Sequence, residues 1–428
     1  MADGMEKEEV IDNENENEES DSEDEVFLDP EADGGRRIVE LEGQDMDEDE
    51  DEEMEEMQGE DDDDEAGQDV DEEAEEEEEE EVEDVSASKL IGHTDPVYSV
   101  AVHPTMADII ATGSGDDTAS IWSKSTGERR VLAGHSDTVV CVAFNASGSM
   151  LASAGMDGLV KIWNPMDGSL LRTLEGPSED ITWINWHSKG DVIIAGSSDM
   201  SIWMWNAATG ACMTVLSGHS DSVTCGQFTE DGKLVITGSA DCSARIWNPK
   251  DGSCLVNLSD PKNAGHFHQG GVTCLDTKGD LLLTGSEDST AILTTIHFGA
   301  DGTPTAKVVT TYRQHTDGVE SVAIAPRTHY IATASLDSKI FVYEMNHDVP
   351  RYMCQHRAGV TKIAWHPTRD MLLSTSLDKT LMAWDGKTGS CLARFTGHKN
   401  AVMDVAASPV DNHLVSGGDD NLALVWQL

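Results

Sequence analysis

Basic residues are scarce in this chain of 428 residues: 27 Lys and Arg stand against 83 Asp and Glu, a formal net charge of −56. Such a surplus of acid, with no basic stripe, speaks against direct binding of nucleic acid, whose phosphates need Lys and Arg. No apolar run approaches the roughly 18 residues that suggest a membrane span. The start, MADGMEKEEV, has neither an apolar signal core nor a basic, Ser-rich transit character. The eight cysteines include no C-x-x-C pair, and most fall in apolar stretches, so the sequence predicts reduced thiols acting as small buried hydrophobes in a cytoplasmic or nuclear protein. G-x-x-x-x-G-K, G-x-S-x-G and H-E-x-x-H are all missing, which leaves no phosphate loop, serine nucleophile or zinc helix to build on.

The deficits are unevenly spread. Residues 1–85 hold 47 of the acids and only Lys7, Arg36 and Arg37 as bases, a net −44 of the total −56, and contain no Trp and no Cys. Unbroken runs such as Asp61–Asp64 and Glu75–Glu81 repel themselves and bury nothing, so residues 1–84 are expected to be a disordered acidic tail. Two short apolar islands interrupt it, Val26–Leu28 and Ile38–Leu41. Residues 85–428 are expected to form one globular region.

That region repeats. Gly134–Trp163, GHSDTVVCVAFNASGSMLASAGMDGLVKIW, reads as three short strands joined by two turns, too little to bury its own faces. The Gly-His or its equivalent returns near His93, His135, Pro177, His219, His268 (with His266 as the alternative), His315, His356 and His398, mostly in steps of 41 or 42 residues. Each unit carries an Asp: Asp116, Asp157, Asp199, Asp241, Asp288, Asp337, Asp378 and Asp420. Six residues later stands Trp122, Trp163, Trp205, Trp247, Thr294, Tyr343, Trp384 or Trp426. Four before the Asp stands Ser or Thr, except Ala195 in the third unit.

With these residues in phase the chain resembles the WD-repeat family, which implies an all-β, eight-bladed β-propeller (seven blades if one unit is degenerate). The resemblance implies that His, Ser/Thr, Asp and Trp form a hydrogen-bonded set within each blade. A buried carboxylate needs such donors whatever the family. Because the set recurs, it reads as scaffold and not as a catalytic dyad or metal site; no catalytic, cofactor or metal residue is expected. The segment Ser86–Ile91 is expected to supply the outer strand of the last blade and so close the ring.

Function is sought where the copies differ. Asp95, Asp137, Asp221 and Asp317 stand two residues after the Gly-His histidine, with Glu179 and Asp180 in the third unit and Ala358 and Asn400 in the last two. They share one loop and therefore ring one face, where they would steer and hold a basic peptide; Asp is also a common turn residue there. Trp183, on an innermost strand, is the candidate exposed aromatic anchor.

Within WD proteins, the acidic tail, the third unit Asp180-Ile-Thr-Trp-Ile-Asn-Trp-His187 and the fifth-unit run His268 to Ser286 resemble the angio-associated migratory cell protein family. That family is similar to a fungal propeller that chaperones a newly made large-subunit ribosomal protein by holding its basic N-terminus. The resemblance implies a non-enzymatic scaffold, monomeric apart from its partners, that binds a basic segment of a ribosomal protein. A signalling or cell-migration scaffold and a histone-type chaperone are the alternatives.

Overall fold

In a computed structural model the described residues are 83–260, 267–299 and 302–428. The acidic tail up to residue 82, with both its apolar islands, and His266 lie outside them. Among the described residues every regular element is a strand, and the strands form eight four-stranded antiparallel sheets. Blade 1 takes its strands from Val97–Val102, Ile109–Ser114, Thr118–Ser123 and Arg129–Ala133, innermost to outermost. Blades 2 to 7 repeat that order along the chain. Blade 8 is composite: Val402–Ala407, His413–Gly418 and Leu422–Gln427 are completed by Ser88–Ile91, which pairs antiparallel with the last of these. Both halves of that sheet are remote in sequence, so the ring is closed by strand pairing and not by a covalent link.

The burial patterns follow from this layering. The second strand of a blade has sheet neighbours on both sides and adjacent blades on both faces; Leu151–Gly155 is accordingly buried throughout and built of small and aliphatic residues. The outermost strand pairs on one side only and is largely exposed, as at Leu170–Leu174. This corrects the expectation of buried cysteines: Cys212, Cys254 and Cys391 lie on outer strands and are exposed, and only Cys354 is fully buried, although all eight are free thiols. The apolar core sits between blades. One cluster joins Ala152 and Ile162 of blade 2 to Ile193 and Trp205 of blade 3, and another joins Val415 and Val425 of blade 8 to Ile110 and Trp122 of blade 1. No blade buries its faces alone, which is why the unit must repeat.

Polar side chains of the innermost strands also stitch blade to blade. The Ser99 Oγ accepts the Val142 N–H at 3.2 Å, Asn185 accepts that of Phe228 at 3.1 Å, and Ser321 accepts that of Ile363 at 3.1 Å. Asp276 accepts the Ile324 N–H at 2.7 Å, and Asp404 spans the closing seam to the Val100 N–H at 2.9 Å. Burial pushes the carboxyls of Asp276 and Asp404 above the usual range, and these backbone donors work against that.

Candidate protein-binding face

The repeated polar set can now be followed atom by atom. In blade 2, His135 Nδ1 lies 2.9 Å from Asp157, its Nε2 lies 2.8 Å from Ser153 Oγ, and Trp163 Nε1 donates to the same Oγ at 2.8 Å. The same bonds join His93, Asp116, Thr112 and Trp122; His219, Asp241, Thr237 and Trp247; His356, Asp378, Ser374 and Trp384; and His398, Asp420, Ser416 and Trp426. In blade 6, His315 meets Asp337 at 3.0 Å and Thr333 at 2.9 Å, but the Tyr343 hydroxyl donates to Gln314 instead. In blade 5, His268 meets Asp288 at 3.3 Å and Thr284 at 2.9 Å. Thr294 there leaves its own hydroxyl buried without a partner. Burial raises the Asp157 carboxyl, but the His135 bond and charge together with the Ser136 and Leu159 N–H groups outweigh it, and the net shift is downward. Burial lowers His93 and His315, so both tend to be neutral.

The third blade shows why its Asp survives the loss of its histidine. In every blade the Asp accepts two backbone N–H groups, one from the loop entering the blade and one from its own turn. For Asp157 these come from Ser136 at 3.1 Å and Leu159 at 3.1 Å. Asp199 keeps both, from Ser178 at 2.8 Å and Ser201 at 3.0 Å, although Pro177 and Ala195 have replaced the His and hydroxyl. Trp205, with no hydroxyl to reach, donates to the Glu175 carbonyl at 3.3 Å.

Each such Asp-turn is tied to the loop holding the candidate binding acids. The residue before the Asp donates its N–H across to that loop: Gly115 to Pro96, Met156 to Thr138, Ser198 to Asp180, Ala240 to Ser222, Glu287 to Gly271, Leu336 to Gly318, Leu377 to Gly359 and Asp419 to Ala401, all within 2.8–3.2 Å. Loop and turn of all eight blades therefore lie on one face. Hydroxyls fix the equivalence: Ser114, Ser197, Ser239 and Ser335 donate to the carbonyls of Asp95, Glu179, Asp221 and Asp317. Glu179, rather than Asp180, thus takes the ring position in blade 3. Asp95, Asp137, Glu179, Asp180, Asp221 and Asp317 are all exposed, and among the described residues none has a Lys or Arg within ion-pair distance. Between blades 2 and 3 the face carries a groove of about 390 Å³ lined by Met156, Gly158, Ser178, Glu179 and Asp180.

Trp183 departs from expectation. It is 8% exposed, and its Nε1 donates to the Val223 carbonyl of blade 4 at 3.0 Å. The indole fills space left by two glycines: a Cβ at Gly196 would meet its Nε1 and one at Gly226 its ring, both well inside contact distance. It is an inter-blade packing residue and not an exposed anchor. Three acids escaped the sequence reading, one of them Asp419, exposed at the position before Asp420 in blade 8. Glu287 occupies the position before Asp288 and is exposed; it supplies charge in blade 5, where the loop itself offers only Gly270. Glu320, half-buried on the innermost strand of blade 6, has its carboxyl pushed up by burial and then by the charges of Glu287 and Asp317. Aligning the turn position and the second residue of each inner strand would have found all three. Lys362, exposed on the innermost strand of blade 7, opposes the upward push of burial on the Asp404 carboxyl of blade 8. The thiols of Cys141 and Cys274 are pushed up to about 11 and about 12, chiefly by burial, which makes them poor nucleophiles. Among the described residues no cluster of His, Cys, Asp and Glu could hold a metal ion, and no helix is long and apolar enough to cross a membrane.

The model of the WD domain, G-beta repeat family matches eight times, over residues 85–123, 127–164, 168–206, 210–248, 253–293, 306–344, 349–385 and 389–427. Angio-associated migratory cell protein of Canis lupus familiaris is 31% identical over 352 residues, 78% of each chain. The crystal structure of Saccharomyces cerevisiae Sqt1 superposes with a TM-score of 0.72 at 20% identity, covering 81% of this chain and all of Sqt1. Chaetomium thermophilum Sqt1, solved bound to the N-terminus of the ribosomal protein L10, gives the same TM-score, identity and coverage. The repeated His–Ser/Thr–Asp–Trp sets, the eight blades and these matches together identify the chain as a WD-repeat protein of the angio-associated migratory cell protein family.

Proposed function

We propose that this protein is a non-enzymatic chaperone or assembly factor that holds a basic segment of a large-subunit ribosomal protein on its acidic face. The observation that carries this reading is the ring of exposed acids, Asp95, Asp137, Glu179, Asp180, Asp221 and Asp317, none paired with a Lys or Arg among the described residues. Unpaired like charges on one surface repel one another, and a cationic segment relieves that repulsion while gaining speed of encounter. Support comes also from the fungal propeller of the same fold, which was solved with the N-terminus of a ribosomal protein. The work belongs in the cytoplasm or the nucleus, where such clients are made and assembled. A histone-type chaperone would use the same chemistry, and the identity of the client decides between them.

A second reading, a signalling or cell-migration scaffold, draws on the relatives' name and on the outer strands of blades 2 to 4, which expose Leu170, Met213, Val215 and Leu255. Such a surface would take neutral partners, insensitive to salt. Capture from cell extract at low and at high salt, followed by mass spectrometry, separates the two. The proposal expects a basic ribosomal protein at low salt, absent at high salt and absent with Asp137→Lys/Asp221→Lys. Recovery of no basic client, or a client indifferent to both changes, refutes it.

A further inference from the structure

The face changes character at blades 6 and 7. The ring position becomes Ala358 in blade 7 and Asn400 in blade 8, and exposed Arg357, Lys379 and Lys399 stand nearby in sequence on the same loops and turns. The turn position before the Asp is small or polar in five blades and Met156 in blade 2; in the adjacent blades 6 and 7 it is Leu336 and Leu377, 41% and 44% exposed. Both leucines are set on this face by the backbone bond common to all blades, from Leu336 N–H to Gly318 O at 3.2 Å and from Leu377 N–H to Gly359 O at 2.9 Å.

The same glycine joins them. Gly359 accepts from Leu377, and a Cβ added to it would stand 3.1 Å from Leu336 Cδ2 and 3.2 Å from the Leu336 backbone. The absence of a side chain there, with only Ala358 before it, leaves Leu336 uncovered. Single exposed leucines are ordinary on a soluble surface. Two brought together over one glycine, remote from the single exposed Met156 at the same turn position of blade 2, are a small apolar patch with a chemically defined border. On the blade 5 side that border is anionic: Glu287 lies within 3.7 Å of where a Gly318 Cβ would be, and Asp317 and Glu320 follow. On the blade 7 and 8 side three exposed cations, Arg357, Lys379 and Lys399, outnumber the one exposed acid at the turn position, Asp419.

We propose that Leu336 and Leu377 form an apolar anchor site for a large hydrophobic side chain of the bound segment, a residue standing at the end of a run of Lys and Arg that lies over Glu287, Asp317 and Glu320. The inference rests on the reading of this face as the binding surface for a basic client, and adds what that client must carry besides charge. The border fixes the order. Basic residues are attracted toward blade 5 and repelled by Arg357, Lys379 and Lys399, so the apolar residue marks where the basic run stops. Charge then provides encounter and salt dependence, and the anchor provides selection among basic segments.

Fluorescence anisotropy with two labelled peptides tests this: a short arginine-glycine-serine peptide, and its counterpart with leucine in place of the serine that ends the arginine run. The wild-type protein should bind the leucine peptide about tenfold more tightly, as expected for one largely buried aliphatic side chain. The Leu336→Ser/Leu377→Ser variant should lose that preference while binding the leucine-free peptide as the wild type does. If the serine pair melts early, Leu336→Ala and Leu377→Ala singly take its place. Equal affinity of the wild type for both peptides, or a leucine preference that survives in the variants, overturns the anchor site and leaves the acidic face standing. Failure of both peptides to bind in a salt-dependent way overturns the face and the anchor with it.

Discussion

Two populations of aspartate occupy this propeller, and they differ in what they face. Asp116, Asp157, Asp241, Asp288, Asp337, Asp378 and Asp420 sit inside the blades, each against a histidine and two backbone N–H groups, and their carboxyls lie below the usual range despite burial. Asp95, Asp137, Asp221 and Asp317 stand only a loop away, exposed, with at most a neighbouring hydroxyl or backbone N–H for company. The first group is consumed by the fold. The second is left with its charge available, and availability rather than residue type marks the binding surface. Asp199 lies between the two: it has lost its histidine but keeps both backbone donors, so blade 3 folds like its neighbours with a lighter polar core.

Substitutions that confuse or separate these populations test the contrast. The largest effect is expected inside. Trp183→Ala should lower the unfolding free energy by about 3–5 kcal/mol in denaturant melts, as removal of a buried indole does; a surface-like loss of under 1 kcal/mol would return Trp183 to the face. Asp157→Ala should cost about 3 kcal/mol, since it strands His135 and two N–H groups, and Asp199→Ala about half that. Equal losses for the two would mean that the histidine contributes nothing.

The interior carboxyls and the channel-side Glu320 are shifted in opposite directions. Interior carboxyls have depressed folded values, so their stabilisation is complete above the ordinary value of 3.8 and is lost as the pH falls below it. His93 and His315 are depressed from 6.5, so a smaller loss begins as the pH drops below that value and the unfolded chain takes up protons. Glu320 is raised: its charge is costly in the free protein, and a bound cation favours the ionised form. In the range where Glu320 is partly protonated, binding of a basic peptide should therefore release a proton, and affinity should weaken on acidification through that range. Calorimetry in buffers of different ionisation heat reads that proton, and a Glu320→Gln variant should abolish it. The smallest effect concerns Thr294, whose buried hydroxyl lacks a partner. Thr294→Val should be neutral or stabilising by about 1 kcal/mol, where a clear loss in melting temperature would reveal a partner.

Much of the fold was legible because repetition multiplies a weak signal. His135, Ser153, Asp157 and Trp163 say little alone, but their return in register announces the blade and its hydrogen bonds. The composite last blade followed from the position of Ser86–Ile91 before the first Gly-His. What escaped depends on neighbours from another blade. Trp183 reads as a channel residue until Gly196 and Gly226 are seen to make room for it sideways. The exposure of Cys212, Cys254 and Cys391 depends on which strand of a sheet is outermost and on which way each residue faces there, since Cys354 on the outer strand of blade 6 is buried; apolar composition encodes neither. Glu287, Leu336 and Leu377 stood beside aspartates already recognised, and only the backbone bonds between turn and loop reveal that they share a face with Asp137.

The exposed acids, and not the interior ones, are proposed to bind a cationic client. The most direct measurement is the affinity for an arginine-rich peptide across a range of salt, in the wild type and in Asp137→Lys/Asp221→Lys, with melting temperature alongside. Wild-type affinity should fall steeply as salt rises, the variant should lose about 30-fold at low salt, and the melting temperature should not change. Affinity that ignores salt, or that survives the two charge reversals, would exclude these acids as the binding surface.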